Sequence, residues 1–140
     1  MKFWDSSAIV PLLLSESATR RMKSIRDADN DIIVWWGARV ECAAAVARRE
    51  RGRELLSTDA QHASARLVDL AASWSEVLPS SSLRDDALRL CRMHGLRAGD
   101  ALQLAAALAF ANHQPGSLDF VCLDQRLAEV RARAGGDNPD

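Results

Sequence analysis

Short apolar runs alternate along this chain with longer stretches of helical period. Lys2–Asp5 reads as a strand, and Ser6 and Ser7 stand as candidate caps for a helix from about Ala8 to Leu14. Pro11 falls near the first turn of that helix, where a missing N–H costs least. A second, amphipathic helix is predicted from about Glu16 to Ala28, after which Asp29, Asn30 and Asp31 turn the chain into the β-branched run Ile32, Ile33, Val34.

The Ala-rich segment from Gly37 to about Arg51 has strong helix propensity and meets a natural stop at Gly52. Thr58 and Gln61 have capping-box spacing for a helix to about Ser73, followed by a strand at Ser75 to Leu78. Ser82 and Asp85 repeat that spacing for a helix to His94, which Gly95 terminates. Gly99 and Asp100 open another helix, to about Asn112, and Gln114 to Ser117 read as a Pro/Gly loop. A strand at Phe120 to Leu123 follows, and Asp124 precedes a final helix from about Gln125 to Ala134.

Short apolar strands separated by longer helices imply a parallel sheet covered on both faces. The expected class is therefore α/β, a three-layer α/β/α arrangement with four parallel strands and about seven helices. Whether a fifth strand joins the four is left open by this pattern. The expected organisation is one domain over residues 1–135 with a polar tail at 136–140.

Composition narrows the function classes. With 140 residues, 48% of them hydrophobic, the chain is long enough to bury a core without disulfides or a structural metal. Lys and Arg number 18 against 19 Asp and Glu, a net charge of −1. That balance excludes a simple basic nucleic-acid-coating protein, though not a nuclease. All the basic residues but Lys2 and Lys23 are Arg, which fits either a GC-rich genome or a use for guanidinium forks on phosphate and carboxylate.

Cys42, Cys91 and Cys122 cannot all pair within one chain and show no close spacing, so buried free thiols and a reducing compartment are expected. The apolar stretch Ala8–Leu14 is a poor export signal, because Asp5 cancels Lys2 ahead of it and Pro11 interrupts it. No run reaches the roughly 18 to 20 apolar residues of a membrane span. A cytoplasmic protein with no membrane association is the expectation.

In a parallel sheet, ligands collect beyond the carboxyl ends of the strands. Asp5 closes the run FWD and Asp124 closes FVCLD, so both fall there. Glu41 interrupts ARVECAAAV and Asp100 heads GDALQLAAAL, and an acid on a core-facing, Ala-rich helix is costly unless paired or metal-bound. Each has an ordinary alternative: a cap for Asp5 and Asp124, a first-turn acid for Asp100, a paired surface residue for Glu41. Arg20, Arg21, Lys23, Arg26 and Arg48, Arg49, Arg51, Arg53 form clusters that suit either phosphate contacts or a solvated face. Cys91 and His94 have a helix-neighbour spacing, but no second pair completes a zinc site. Trp4, Trp35, Trp36 and Trp74 suit the core or a subunit contact better than base stacking.

Taken together, the segments FWDSSAIVPLL, ARVECAAAVARR, HGLRAGDALQLAAAL and FVCLDQRLAEVRARAG resemble, in order, those of the PIN domain, most closely the VapC-like toxin ribonucleases of bacterial toxin–antitoxin pairs. The resemblance spans about residues 2 to 135, and its third segment is the most distinctive. It implies a metal-dependent endoribonuclease using Mg²⁺ or Mn²⁺, an RNA substrate, a VapB-like antitoxin and a homodimer. Position by position it implies an acidic metal site of Asp5, Glu41, Asp100 and Asp124, with Ser6 beside it and Cys122 near it, while Arg97, three residues before Asp100, is by its own position a candidate for phosphate contact or a neighbour of the ligands. Two positions depart from the family's habit: Cys122 stands where Thr or Ser is usual, and Gly99 where an aromatic is common.

The physical chemistry is compatible with that implication. Clustered carboxylates raise one another's pKa unless a cation joins them, and oxygen donors suit Mg²⁺ or Mn²⁺. Setting the four aside from the 19 acids leaves 15 against 18 basic residues, a mildly positive remainder that permits RNA binding. Two further classes compete: a PIN-like RNA- or protein-binding module without catalysis, and a phosphoacceptor domain. The phosphoacceptor chemistry calls for a well-placed lysine, for which only Lys2 and Lys23 are available.

Overall fold

The computed structural model describes residues 1–112 and 119–136. Its elements are β1 (Lys2–Trp4), α1 (Ser6–Leu13), α2 (Thr19–Ala28), β2 (Ile32–Trp35), α3 (Ala38–Arg51), α4 (Ser57–Ser73), β3 (Ser75–Val77), α5 (Ser81–His94), α6 (Ala98–Phe110), β4 (Phe120–Val121) and α7 (Gln125–Gly136). The four strands pair in the order β3-β2-β1-β4, every pair parallel. The loop expected at Gln114–Ser117 and most of the expected tail lie outside the described residues. Among the described residues there is no fifth strand.

Strand periodicity divides the core in two. Trp4, Ile32 and Val34 face one layer, where they pack with Ile9, Leu13, Met22, Cys42, Val46 and Leu67 from the helices. Phe3, Ile33 and Trp35 face the other, against Leu83, Leu90, Leu104 and Leu127. Residues on both faces of β1 and β2 are thus buried, as a parallel sheet between two helical layers requires. Phe3 meets the rings of Phe120 and Phe110 at centroid distances of 5.9 and 6.4 Å. Of the tryptophans, Trp4, Trp35 and Trp74 are buried, whereas Trp36 is 53% exposed.

Several boundaries differ from the sequence expectation for local chemical reasons. The first helix is capped by Asp5, whose carboxylate accepts from the Ser7 N–H, and not by Ser6 or Ser7. It consequently starts earlier, and Pro11 lies inside it, forgoing a bond to the Ser7 carbonyl instead of occupying the first turn. Helix α2 begins at Thr19 because the Thr19 hydroxyl captures the Glu16 N–H and donates to the Leu14 carbonyl, which closes a turn first. Ser80, not Ser82, caps α5, accepting from the Leu83 N–H, and Leu56 precedes α4 with no side-chain cap. Gly95 ends α5 in the left-handed conformation, φ 63°, as its position predicts. Cys42 is buried, but Cys91 and Cys122 are only partly so; all three are free thiols.

Candidate active site

The chain runs from β1 through α1 and α2 to β2 on one side, and returns through α6 to place β4 on the other side of β1. The crevice beyond the carboxyl ends of β1 and β4 is therefore the topological switch point of the sheet, where ligand sites form. A pocket of about 310 Å³ lies there, lined by Asp5, Ser6, Ser7, Glu41, Asp100 and Asp124 together with Glu16, Arg48 and Arg49. The four acids come from the starts of four helices. Asp5 caps α1, Glu41 and Asp100 lie in the first turns of α3 and α6, and Asp124 accepts from the Leu127 N–H at 3.1 Å in the first turn of α7. Helix N-termini carry partial positive charge, so their convergence favours anions there.

Ser7 ties the ends of the first and last strands together. Its hydroxyl donates to Asp5 Oδ2 at 2.5 Å and accepts from the N–H groups of Leu123 at 3.0 Å and Asp124 at 3.3 Å. The Cys122 thiol lies 3.6 Å from the same Asp5 oxygen and 3.3 Å from the Asp124 carbonyl oxygen. On the other side, Gln103, fully buried on α6, donates from Nε2 to Ser6 Oγ at 2.7 Å and to Glu41 Oε1 at 3.0 Å. Its own Oε1 is buried with no partner among the described residues.

Asp5 and Asp124 therefore each spend one oxygen on the scaffold and keep the other without a hydrogen bond among the described residues, while Glu41 is held by Gln103 with Ser6 beside it. For Asp5 and Asp124, capping a helix and lining the pocket are tasks of one carboxylate. A Cβ added at Gly99 would stand 3.6 Å from Glu41 Oε2, an ordinary contact distance, so position 99 borders this carboxylate.

The electrostatics follow from this crowding. Burial above all, and then the charges of Asp5 and Asp100, push Glu41 up to about 7, against the opposing hydrogen bond from Gln103. Burial raises Asp5 despite its bonds from Ser7, and Asp124 adds to the rise. Asp100 is raised by burial and by Asp124 and Asp5, while Arg97 and Arg126 pull it back. Burial and the Asp5 charge push the Cys122 thiol up to about 12, so it remains protonated. Arg97 is thus near Asp100 electrostatically but does not line the pocket.

The donor set fits a hard divalent cation in kind, being carboxylate oxygen throughout. It is not a closed cage: no three His, Cys, Asp or Glu side chains among the described residues are gathered tightly enough to hold an ion as they stand. Neither Lys2 nor Lys23 lines the pocket, so the lysine of a phosphoacceptor site is missing from it. The sequence pattern marks Ser7 only as a candidate cap and assigns Gln103 no role. The signal for Gln103 was present as the one polar residue in the apolar run Ala101–Ala111. That for Ser7 lay only in the contacts of distant strand ends.

The fold and site define a parallel α/β domain whose carboxylates converge at the switch point of its sheet. Residues 2–132 match the PIN domain, and the chain is a member of that family. It is 31% identical over 134 residues to ribonuclease VapC45 of Mycobacterium tuberculosis strain CDC 1551, covering 96% of this chain and 90% of that protein. The same identity and coverage hold for ribonuclease VapC49 of strain H37Rv. No helix among the described residues is long and apolar enough to cross a membrane.

Proposed function

We propose that this chain is a metal-dependent endoribonuclease, the toxin of a VapBC-type toxin–antitoxin pair, acting in the cytoplasm as a homodimer with a VapB-like antitoxin as its regulator. The observation that carries the reading is the single pocket onto which Asp5, Glu41, Asp100 and Asp124 open in a member of the PIN family. The similarity to two ribonucleases over 96% of the chain supports RNA as the substrate. In this reading residues 1–135 are the catalytic domain, and 136–140 a tail outside it.

Asp5, Glu41, Asp100 and Asp124 would hold Mg²⁺ or Mn²⁺. Such an ion supplies activation of a water and charge stabilisation for an in-line displacement at phosphorus. The protein's own part is positioning. Ser7 and the Leu127 N–H fix Asp5 and Asp124 through one oxygen each, and Gln103 does the same for Glu41. Mutual repulsion keeps the carboxylates receptive to a cation, and burial pushes Glu41 up to about 7 without one, so holding the ion would mean releasing the proton this carboxyl carries below that value. Cys122 and Ser6 stand as polar neighbours of Asp5 and Glu41, and Arg97 lightens the negative charge at Asp100.

One observation favours a second reading, a binding module without catalysis: the carboxylates are not gathered into a ready-made cage. Incubation with total cellular RNA in Mg²⁺, Mn²⁺ or EDTA, with cut ends mapped, decides between them. Discrete metal-dependent cuts absent from an Asp100→Asn preparation support the nuclease. Intact RNA under all conditions, with RNA still bound, supports the module. Light scattering and co-purification with the product of an adjacent small reading frame test the dimer and the antitoxin.

A further inference from the structure

Helix α3 contributes more than Glu41 to the pocket. Glu41, Ala45, Arg48 and Arg49 lie at i, i+4, i+7 and i+8, one face of the helix, and all four line the pocket. Arg48, Arg49 and Arg51 all lie in the last turn of α3, but Arg51 falls on another face and does not line the pocket. Seven residues separate Arg48 from Glu41, about 10 Å along the helix axis. The small side chain of Ala45 leaves the intervening surface open.

Arg48 is exposed and makes no ion pair among the described residues. The Arg49 guanidinium is paired through Nη1 with Glu16 Oε1, and Glu16 also lines the pocket. Both side chains of that pair are partly open to solvent, 34% and 25% exposed, and ion pairs in such settings contribute little stability.

We propose that Arg48 and Arg49 form a subsite for the phosphate backbone of RNA beside the carboxylate pocket, and that Glu16 holds Arg49 at its rim until a phosphate takes Glu16's place. The inference rests on RNA being the ligand. A polyanion approaching four clustered acids is repelled, and cations two helical turns away on the same face supply the attraction that brings it in. The guanidinium fork accepts either a carboxylate or a phosphate in the same geometry, so Arg49 can exchange one partner for the other without moving the helix.

The test is the affinity of the full chain for a fluorescein-labelled single-stranded RNA of mixed sequence. It is measured by anisotropy in EDTA and again with Mg²⁺ in an Asp100→Asn background, with RNA integrity checked on a gel and each variant's melting recorded. Arg48→Ala and Arg49→Ala should each weaken binding about five-fold at 0.1 M salt and make the salt dependence shallower by about 0.7. Glu16→Gln should tighten binding, and the gain should vanish in Glu16→Gln/Arg49→Ala. Unchanged affinity and salt slope in folded Arg48→Ala and Arg49→Ala proteins overturn the subsite. A gain from Glu16→Gln that survives without Arg49 overturns the exchange, and no RNA binding by the unaltered chain overturns the whole. If the unaltered chain binds RNA yet leaves it intact in Mg²⁺ and Mn²⁺, the nuclease reading fails, while the subsite stands or falls on the arginine variants.

Discussion

The side-chain amide of Gln103 donates to Glu41 Oε1 at 3.0 Å across 62 positions of sequence, joining helix α6 to the helix α3 whose Glu41 lines the acidic pocket. The same Nε2 reaches Ser6 Oγ at the start of α1. One buried amide thus sets the relative placement of three helix N-termini, each of which carries an acid of the candidate site.

Replacing Gln103 with Leu, similar in size, should lower cleavage by roughly ten-fold with only a small change in melting temperature. The two lost hydrogen bonds are offset by removal of the unpartnered, buried Oε1, while Glu41 loses its orientation. Steady-state kinetics should show the loss in kcat with KM nearly unchanged. A large drop in stability at full kcat would assign Gln103 to the core alone.

Asp100→Asn removes a charge and almost no volume. Cleavage should fall on the order of 100-fold, because a neutral amide is a poorer ligand for a hard cation. Metal-free stability should hold or rise, since burial first and then the charges of Asp124 and Asp5 disfavour ionised Asp100 in the folded chain. An acid serving only its helix start would show the reverse, a loss of about 0.3–1 kcal/mol with activity intact. Melting and cleavage on one preparation separate the two, and wild-type activity in the folded variant would falsify the catalytic assignment.

Ser7→Ala should cost about 1–3 kcal/mol in urea denaturation. The Leu123 and Asp124 N–H groups lose their acceptor and Asp5 loses its shortest donor, all at the joint between β1 and β4. Thr at this position keeps the hydroxyl and should recover part of the loss. Equal stability of the Ala variant would show that water replaces the hydroxyl there.

Stability without metal should fall as pH rises from about 5 to about 8. Glu41 has an ordinary value of 4.5 and is pushed up to about 7 in the folded chain, so between these values the folded state holds a proton that the unfolded state has released. That contribution is complete below the unfolded value and is lost as pH rises through the folded one. Asp5 and Asp100 are raised in the same sense. Saturating Mg²⁺ or Mn²⁺ should flatten the profile, because the ion binds the deprotonated acids. Thermal melts across this range, with and without metal, check both statements.

Periodicity and punctuation along the chain were enough to reveal an α/β domain with strands near residues 2, 32, 75 and 120, because apolar runs and Gly95 act over a few residues at a time. The same local signals marked Asp5 and Asp124 as strand-end acids and Asp100 and Glu41 as acids on apolar helices. They misplaced caps wherever neighbouring hydroxyls and carboxylates competed, as at Asp5 against Ser6 and Ser7, because several side chains can reach the same N–H and packing selects one. Strand order is a tertiary matter: only the packing of both core layers sets β4 beside β1 and so opens the switch point between Asp5 and Asp124. The roles of Ser7 and Gln103 were likewise invisible, since a hydroxyl or amide acquires its partners from residues more than sixty positions away. Whether Arg48 and Arg49 look into the pocket or out to solvent depends on the rotation of α3 about its axis, which the burial of Cys42 and Val46 against the sheet decides. Local sequence specifies hydrogen bonds and periodic faces within a segment; the convergence of four like charges on one pocket is imposed by the burial of those faces elsewhere in the fold.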